Sequence, residues 1–294
     1  MRGTKIGGML AVGALALMTI SSAVSAGGGG RSDACEPDRG DRYGSRSDLV
    51  ALGVTNDLRL FCFETDDPRD TERIGTIALS GDTGLVGMDY RPANDTLYAV
   101  GNAGGLYTID DRTAAATKVD QLDVALSGTA FGVDVNPAAD ALRIISDTGQ
   151  NLRHPFATGT TVSDTALTVG TPPATALGVS GAAYTNNDLD PTTGTTLFDI
   201  DATLDQVEIQ SPANSGMLVV TGKLGIDTAA PIGFDIYSRL SRGTTSDVKS
   251  FASLTVDGRT RLFQVNLLTG RAAQVGSFSS GLQPIDIALP LDQR

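Results

Sequence analysis

Tryptophan is absent from this chain of 294 residues, and cysteine and histidine are scarce. Without tryptophan, the chain lacks the signature of WD-type propellers. The two cysteines, Cys35 and Cys62, are not arranged as Cys-x-x-Cys, so neither a zinc site nor a thioredoxin-like redox site is indicated. One histidine, His154, leaves a single candidate for a histidine general base.

Basic residues are also few. Lysine and arginine number 22 against 34 aspartates and glutamates, which leaves a formal net charge of −12. Nucleic acids and anionic membrane surfaces both require a basic footprint, so neither is expected as a partner. Of the acidic residues, 30 are aspartate and 4 are glutamate. Because aspartate accepts hydrogen bonds from nearby backbone N–H groups, this bias indicates a turn-rich chain.

A long apolar run occurs at the N-terminus and nowhere else. Residues 1–26 have the pattern of a secretory signal, with Arg2 and Lys5, an uncharged apolar run over 6–20, and small residues ending at Ala26. The run is shorter than the ~20 residues that spanning a bilayer requires, which favours cleavage over an uncleaved anchor. We therefore expect a secreted, periplasmic or surface-bound protein without a membrane span after cleavage.

Residues 27–47 are rich in Gly, Arg, Asp and Ser and carry almost no apolar side chains. Such a segment buries too little surface to fold and is predicted to be a flexible tether. Export permits disulfides, so Cys35 in the tether and Cys62 beyond it form a candidate pair. Two unpaired thiols are the alternative.

A short element recurs along the rest of the chain. It occurs as GMDYRP from Gly87, GVDVNP from Gly132, GAAYTN from Gly181, GFDIYS from Gly233 and PIDIAL from Pro284. Its third position is occupied, in order, by Asp89, Asp134, Ala183, Asp235 and Asp286, at spacings of 45, 49, 52 and 51 residues. Self-similarity at this period is typical of solenoids, arrays and propellers.

Each unit contains short alternating apolar runs separated by turns rich in Asn, Asp and Gly, and no stretch has helical periodicity. The predicted fold class is therefore all-β. The 243 residues over 48–290 give about 49 per unit for five units, and a four-stranded propeller blade needs ~40–50. We predict one domain over 48–290, a five-bladed β-propeller.

The two ends of this domain complement each other. The first unit, from Asp48, supplies three outer strands without the repeated inner one, whereas PIDIALP from Pro284 supplies an inner strand alone. Joining them completes a blade, closes the ring and protects edges that a linear array would expose. A pair of β-sandwiches does not explain this complementarity, and a β-helix needs shorter repeats.

A more specific resemblance is carried by SGTAFGVDVNPAADALRIISDTGQNLR (127–153), MDYRPANDTLYAVGNAGGLYTID (88–110), GAAYTNN (181–187) and LGID (224–227). Through these segments the chain resembles, over roughly 48–290, a bacterial secreted family known as domain of unknown function 4394. The resemblance implies an exported, propeller-like domain without an established activity. It transfers no catalytic residue.

The aspartates of the repeated element form a candidate metal site: Asp89, Asp134, Asp235 and Asp286. Innermost strands surround the channel of a propeller, and these residues are expected near the strand starts, toward one rim. Carboxylates around an axis suit a hard cation such as calcium, which takes six to eight oxygens. The alternative, which a repeated residue favours, is a structural role in which each carboxylate accepts backbone hydrogen bonds from a neighbouring blade.

The loops between the second and third strands share one face with the entries to the inner strands. Polar side chains in these loops are candidate ligand contacts: Asn102, Asp147, Gln150 and Asp257. Loops on one face of a repeat protein often bind partners. Ordinary turn chemistry explains the same residue types equally well.

Two functions from different classes follow. The first is non-enzymatic binding of a small molecule or protein through this loop face. The second is metal-dependent hydrolysis, of a lactonase or phosphoesterase kind, with a cation at the channel mouth activating water. Glutamate is nearly absent, His154 is expected to be a partly exposed structural residue, and no Gly-x-Ser-x-Gly elbow is present, so binding is favoured and no catalytic residue is assigned.

Exported protein is expected to begin at or near Gly27, because signal peptidase cuts after small residues such as those ending at Ala26. N-terminal sequencing of protein recovered outside the cytoplasm measures this start directly. Recovery of the chain in the membrane fraction with Met1 retained would contradict the prediction.

Overall fold

The computed structural model describes Met1, Gly3 and residues 49–190 and 192–291. Nearly all of the predicted signal, the whole tether and Cys35 lie outside these residues, so the signal and the tether stay predictions. Cys62 is buried and disulfide-bonded, and its pairing with Cys35 is likewise a prediction. In the described ranges, no helix has the length and apolar character needed to cross a membrane.

Three antiparallel strands open the domain: β1 (Val50–Thr55), β2 (Arg59–Glu64) and β3 (Thr71–Thr76). The turn after β1 is tied by Asp57, whose carboxylate accepts a 2.5 Å hydrogen bond from the Thr55 hydroxyl. Strand alternation in β2 places Leu60 and Cys62 on one side of the sheet and Phe61 and Phe63 on the other. Both faces of this sheet are therefore buried against neighbouring blades.

The next two units each contribute one antiparallel sheet. The first contains β4 (Leu85–Arg91), β5 (Thr96–Gly101), β6 (Gly105–Ile109) and β7 (Ala116–Gln121). The second contains β8 (Phe131–Asn136), β9 (Ala141–Ser146), β10 (Asn151–Pro155) and β11 (Val162–Ser163). The last strand of this second sheet is only two residues long, and the Asp164 carboxylate that follows it is held by Arg143 at 2.8 Å and by Arg153 at 3.1 Å.

The fourth unit departs from the predicted pattern. A short hairpin, β12 (Thr168–Val169) and β13 (Ala174–Thr175), precedes the expected strands β14 (Val179–Tyr184), β15 (Leu197–Asp201), β16 (Gln206–Gln210) and β17 (Met217–Lys223). A single 3-10 turn over Ala213–Ser215 lies between β16 and β17. Because β12 pairs in parallel with β17, the hairpin extends this sheet to six strands.

The last unit contains β18 (Ala229–Ser241), β19 (Thr244–Val256), β20 (Arg259–Val265) and β21 (Ala272–Ser277), and the chain then forms β22 (Pro284–Ala288). The hairpin of β18 and β19 is longer than the other hairpins in the described ranges. Its exposed tip, around Arg242, projects beyond the buried part of the blade.

Five small sheets make five blades, which confirms the predicted all-β, five-bladed propeller. We number the blades 1 to 5 from the sheet of β1. In blade 1, β22 pairs with β1 in the register Leu52↔Ala288 and Gly53↔Ile287, so the first blade combines strands from both ends of the domain. The inner strands contact one another in the circular order β22, β4, β8, β14, β18 and back to β22.

In the part of the chain that the structure describes, the hydrophobic core consists of five clusters, one between each pair of neighbouring blades. Blades 5 and 1, for example, enclose three phenylalanine rings. The Phe278 ring meets those of Phe61 and Phe63 edge to face, with centroids 6.1 and 5.1 Å apart. Since every blade buries both faces, no blade has a core of its own. The blades depend on their neighbours around the ring.

A glycine stands two positions before the third residue of the repeated element in four of the five copies. A Cβ atom added at Gly132 would lie 2.6 Å from the Ala182 backbone nitrogen, and one at Gly233 would lie 2.7 Å from Asp286 Cα. Real side chains do not approach backbone atoms so closely. These positions lack a side chain because neighbouring inner strands pack directly against them.

Gly132→Ala is expected to lower the free energy of unfolding by about 1–3 kcal/mol, because an added methyl group forces β8 away from β14. Chemical denaturation monitored by circular dichroism measures the change. Gly194→Ala is the matched control, since its Cβ meets no atom within 4 Å, and it should change stability by less than about 0.5 kcal/mol. Equal stability of the two variants would show that the close approach is not required.

Candidate functional site

The four inner aspartates lie in the middle of their strands and not near the strand starts, as had been expected. Asp89, Asp134, Asp235 and Asp286 occupy central positions of β4, β8, β18 and β22. Each is only 4 to 8 % exposed. The inner strands pack so closely that these carboxylates are enclosed within the ring and not displayed at its rim.

Each inner aspartate accepts a hydrogen bond from the backbone of the next blade. Asp286 of blade 1 accepts from Met88 N at 2.7 Å, Asp89 of blade 2 from Val135 N at 2.7 Å, Asp134 of blade 3 from Tyr184 N at 3.1 Å, and Asp235 of blade 5 from Leu289 N at 2.5 Å. Three of them also accept from the N–H of the following residue in their own strand. The inner aspartates therefore connect neighbouring blades.

Ala183 of blade 4 cannot make this connection to blade 5. Other contacts join the two blades farther along the inner strands. Asn186 N donates to the Ser238 hydroxyl at 2.9 Å, and the Asp188 carboxylate accepts from the backbone N–H and the hydroxyl of Thr245 at 3.1 and 2.7 Å. The interface between blades 4 and 5 thus has polar links, but they lie outside the ring of inner aspartates.

Three of the inner aspartates also converge, since oxygens of Asp89, Asp134 and Asp235 lie within 4.8 Å of one another. Burial, and then the charge of Asp235, raises the pKa of Asp89 well above its usual range. Burial raises the pKa of Asp235 to about 7. A bound proton or a hard cation would relieve the repulsion in this group, so calcium binding here stays a prediction.

Three of the four polar loop residues bind neighbouring segments of the chain. Asn102 Oδ1 accepts from Thr83 N at 3.0 Å and Gly84 N at 3.3 Å, and so holds the segment that enters β4. Asp257 lies in the exposed turn between β19 and β20 with φ at 51°. Ligand contact by Asn102 and by Asp257 stays a prediction.

The equivalent loop of blade 3 is held in the same way. Asp147 accepts from the backbone N–H and the hydroxyl of Thr129 at 2.9 and 2.6 Å. Gln150 accepts from Ser127 N at 2.9 Å and donates to Ala125 O at 2.8 Å. These two side chains therefore fix the segment that leads into β8.

A cleft of about 490 Å³ opens where the inner strands begin, on the face that carries these loops. We call it the mouth cleft. Its walls come from blades 1, 2, 3 and 5: Asn56, Leu85, Val86, Thr129, Ala130, Phe131, Ala230, Pro231, Thr255, Thr260, Gln283, Pro284 and Ile285. The repeat pattern indicates this face but not the cleft, because the cleft walls come from segments that are far apart in the chain.

A second cleft, of about 660 Å³, lies between blades 4 and 5 at the other ends of the strands. It includes Lys249 and Arg271 together with Val248 and Leu268, which are 38 and 77 % exposed. Walls this exposed make a broad groove and not an enclosed pocket. We call it the side cleft.

Sequence reasoning missed a buried polar network between blades 3 and 4. Arg143 is 2 % exposed, and its guanidinium donates to Asp164 at 2.8 Å, Asn151 at 2.7 Å and Asn214 at 2.7 Å. An arginine within the apolar run of β9 was the available signal. His154, expected to be partly exposed, is buried, with Nδ1 3.0 Å from the Thr161 hydroxyl.

Five blades, joined at four of their five interfaces by inner-strand aspartates, define a small β-propeller. The chain belongs to the family described as Domain of unknown function (DUF4394), whose model matches residues 59–288. This match confirms the family indicated by the sequence motifs. No curated protein matches the chain.

Several solved structures are similar to this chain. One, from a nidogen/laminin complex, is 8% identical with a TM-score of 0.48 and covers 84% of this chain and 100% of its own. A protein of unknown function from Bacteroides thetaiotaomicron VPI-5482 is 15% identical with a TM-score of 0.48, covering 88% and 71%. An auxiliary nutrient binding protein from the same organism is 10% identical with a TM-score of 0.44, covering 76% and 56%. Likenesses at this level assign no ligand to this chain.

Asp235→Asn is expected to destabilise the protein by about 1–3 kcal/mol at pH 5, because an amide cannot accept both backbone N–H groups. The folded Asp235 keeps its proton up to about pH 7, whereas the unfolded carboxyl loses it near 3.9. Its contribution to stability therefore falls as pH rises through this window. The penalty of the substitution should shrink by up to about 1.4 kcal/mol per pH unit between pH 5 and 7.

Urea denaturation at a series of pH values, in the presence of chelator, measures this penalty. Asp257→Asn makes the same chemical change in an exposed turn and serves as the control. A penalty for Asp235→Asn that stays constant from pH 5 to 7 would contradict a proton retained on the inner aspartates.

Proposed function

We propose that this protein is an exported, non-enzymatic binding protein that takes a small, uncharged and largely apolar ligand in the mouth cleft. The lining of the cleft carries the proposal. Its thirteen described lining residues include no ionisable side chain, although the chain has 34 acidic and 22 basic residues. An uncharged cavity on such an acidic protein suits a neutral ligand, because a charged one would lose its hydration without gaining a partner.

The size and chemistry of the cleft support the same class of ligand. Its volume of about 490 Å³ lies within the ~300–1,000 Å³ usual for small-molecule sites. Leu85, Phe131 and Ile285 offer apolar surface, while Asn56 and Gln283 offer amide groups at its edge. Amides can both donate and accept, so a ligand with hydroxyl or carbonyl groups on an apolar frame fits best.

The loop residues predicted as ligand contacts have a supporting role in this proposal. Thr129 lines the cleft and is held through two hydrogen bonds by Asp147. The segment before it is held by Gln150 through Ser127. A wall fixed before the ligand arrives loses less conformational entropy on binding, so these hydrogen bonds favour affinity without direct contact.

The hydrolase alternative has less support. A metal-dependent hydrolase needs a metal-bound water that the substrate can reach. Asp89, Asp134 and Asp235 are 4 to 8 % exposed and hydrogen-bonded to backbone, and none of them lines the mouth cleft. A cation held by these three would be enclosed between inner strands.

Phe131→Ala is expected to weaken binding of a neutral apolar dye, Nile red, by roughly 10-fold or more, since it removes the largest apolar side chain of the mouth cleft. Fluorescence titration measures the dissociation constant. Leu268→Ala is the matched control, because it removes an apolar side chain from the side cleft. It should leave the dissociation constant within about twofold.

A second variant guards against a folding defect, because Phe131 also packs against the core between blades 2 and 3. Val86→Thr keeps the shape of the cleft wall and makes it polar. It should weaken dye binding and lower the melting temperature less than Phe131→Ala does, because it leaves no cavity in the core. If dye binding is unchanged in Phe131→Ala and Val86→Thr but is lost in Leu268→Ala, the dye binds in the side cleft and the proposal is wrong.

A further inference from the structure

The face of blade 4 that is turned toward blade 3 is polar, although it is buried. Phe198 and Ile200 of β15 pack toward blade 5, so Leu197, Asp199 and Asp201 face blade 3 by strand alternation. At the corresponding place in blade 2, Leu97 and Ala99 of β5 are apolar and face blade 1. Carboxylates have thus replaced core residues in one blade, at a cost in desolvation that the other blades avoid.

Three strands bring these polar groups together. Asp199 is paired directly with Glu208 on β16 and with Ala182 on β14. Residues directly opposite each other in a sheet have Cβ atoms about 5 Å apart. Gln210 follows Glu208 by two positions and therefore shares the face of Asp199 and Glu208. Ser180 lies on the neighbouring strand β14, at the irregularity between Val179 and Gly181. Ser180, Asp199, Glu208 and Gln210 are each at most 2 % exposed.

Oxygens of these four residues lack partners. Five buried side-chain oxygens in the described part of the chain have no hydrogen-bond partner, and all five belong to this group: Ser180 Oγ, Asp199 Oδ1, Asp199 Oδ2, Glu208 Oε2 and Gln210 Oε1. The amide nitrogen of Gln210 is satisfied by Asn151 and Ala213. The other oxygen of Glu208, Oε1, accepts from the Gln206 amide nitrogen at 2.8 Å. The five unpartnered oxygens lack a donor or a positive charge.

The arginine of this interface does not supply the missing donors. The Arg143 guanidinium donates to Tyr184, Asn151, Leu152, Asp164 and Asn214 and makes no hydrogen bond to Asp199. Its charge is opposed by Asp164, which lies 2.8 Å away. The carboxylates of Asp199 and Glu208 are therefore left without a counter-ion in contact.

We propose that Ser180, Asp199, Glu208 and Gln210 form a calcium-binding site within blade 4, separate from the inner aspartates. Calcium is bound by carboxylate, amide and hydroxyl oxygens, and a buried unpaired carboxylate is stable only when it is protonated or coordinates a cation. Burial, and then the Glu208 charge, raises the pKa of Asp199 well above its usual range. Burial likewise raises the pKa of Glu208 to about 7. Both pKa shifts follow mainly from burial, in groups that no cation in contact balances.

Calcium titration of the full-length, chelator-treated protein tests the site. Calcium at 100 times its dissociation constant should raise the melting temperature of the unsubstituted protein by roughly 5–10 °C. Asp199→Asn/Glu208→Gln should abolish that rise. In chelator, the same double variant should melt no lower than the unsubstituted protein, because neutral amides of equal size replace two buried carboxylates.

Asp134→Asn is the matched control, since it removes one carboxylate from the inner aspartates and leaves the site in blade 4 intact. It should retain the calcium-dependent rise. Ser180→Ala is a milder change that removes one oxygen and no charge, and it should weaken calcium about 3–10-fold in the same titration. Absence of a rise in the unsubstituted protein would overturn the proposal.

Other outcomes would also overturn it. A full rise in the double variant, or loss of the rise in Asp134→Asn alone, would place the cation elsewhere. If the double variant does not fold, the test depends on Ser180→Ala. A calcium concentration for half of the melting-temperature rise that is the same in Ser180→Ala as in the unsubstituted protein would contradict the site. A double variant that is stabilised in chelator, combined with no calcium response in the unsubstituted protein, identifies the group as carboxylic acids kept protonated by burial.

Discussion

The structure depends on a hydrogen bond between neighbouring blades, donated by a backbone N–H of one inner strand and accepted by an aspartate of the preceding one. It works because the inner strands almost touch, and they almost touch because the repeated element begins with glycine at positions such as 132 and 233. A buried carboxyl group is costly alone, and its backbone donors, two in three of the inner aspartates and one in Asp134, offset part of that cost. Glycine and aspartate therefore act as one unit in the repeated element.

Blade 4 is where this arrangement stops being uniform. It has Ala183 in place of the aspartate, an added hairpin at its outer edge, and a polar interface with blade 3 around Arg143. Its carboxylates Asp199 and Glu208 occupy positions that are apolar elsewhere in the ring. Blade 4 therefore lacks the inner aspartate of the other blades and has two other buried acidic residues, Asp199 and Glu208. A repeat protein tolerates such local change because each blade contacts its two neighbours and little else.

The sequence predicted the repeated features well, since spacing and alternation are local signals. Five blades, the pairing of the two ends and an interblade role for the inner aspartates all follow from the element beginning at Gly87 and its copies. The two-residue strands at 168–175 were not predictable, because segments so short carry no periodicity. The environment of Arg143 depends on Asn214, 71 positions away, and only the assembled ring brings the two together.

The first blade is made from the two ends of the domain, and this sets an order on biosynthesis. The inner edge of β1 has no partner until residue 288 has been made, because β22 is the strand that pairs with it. Most of the domain is therefore translated before the ring can form. An exposed strand edge is prone to wrong pairing, so the growing chain carries an edge of this kind on β1 until its last segment emerges.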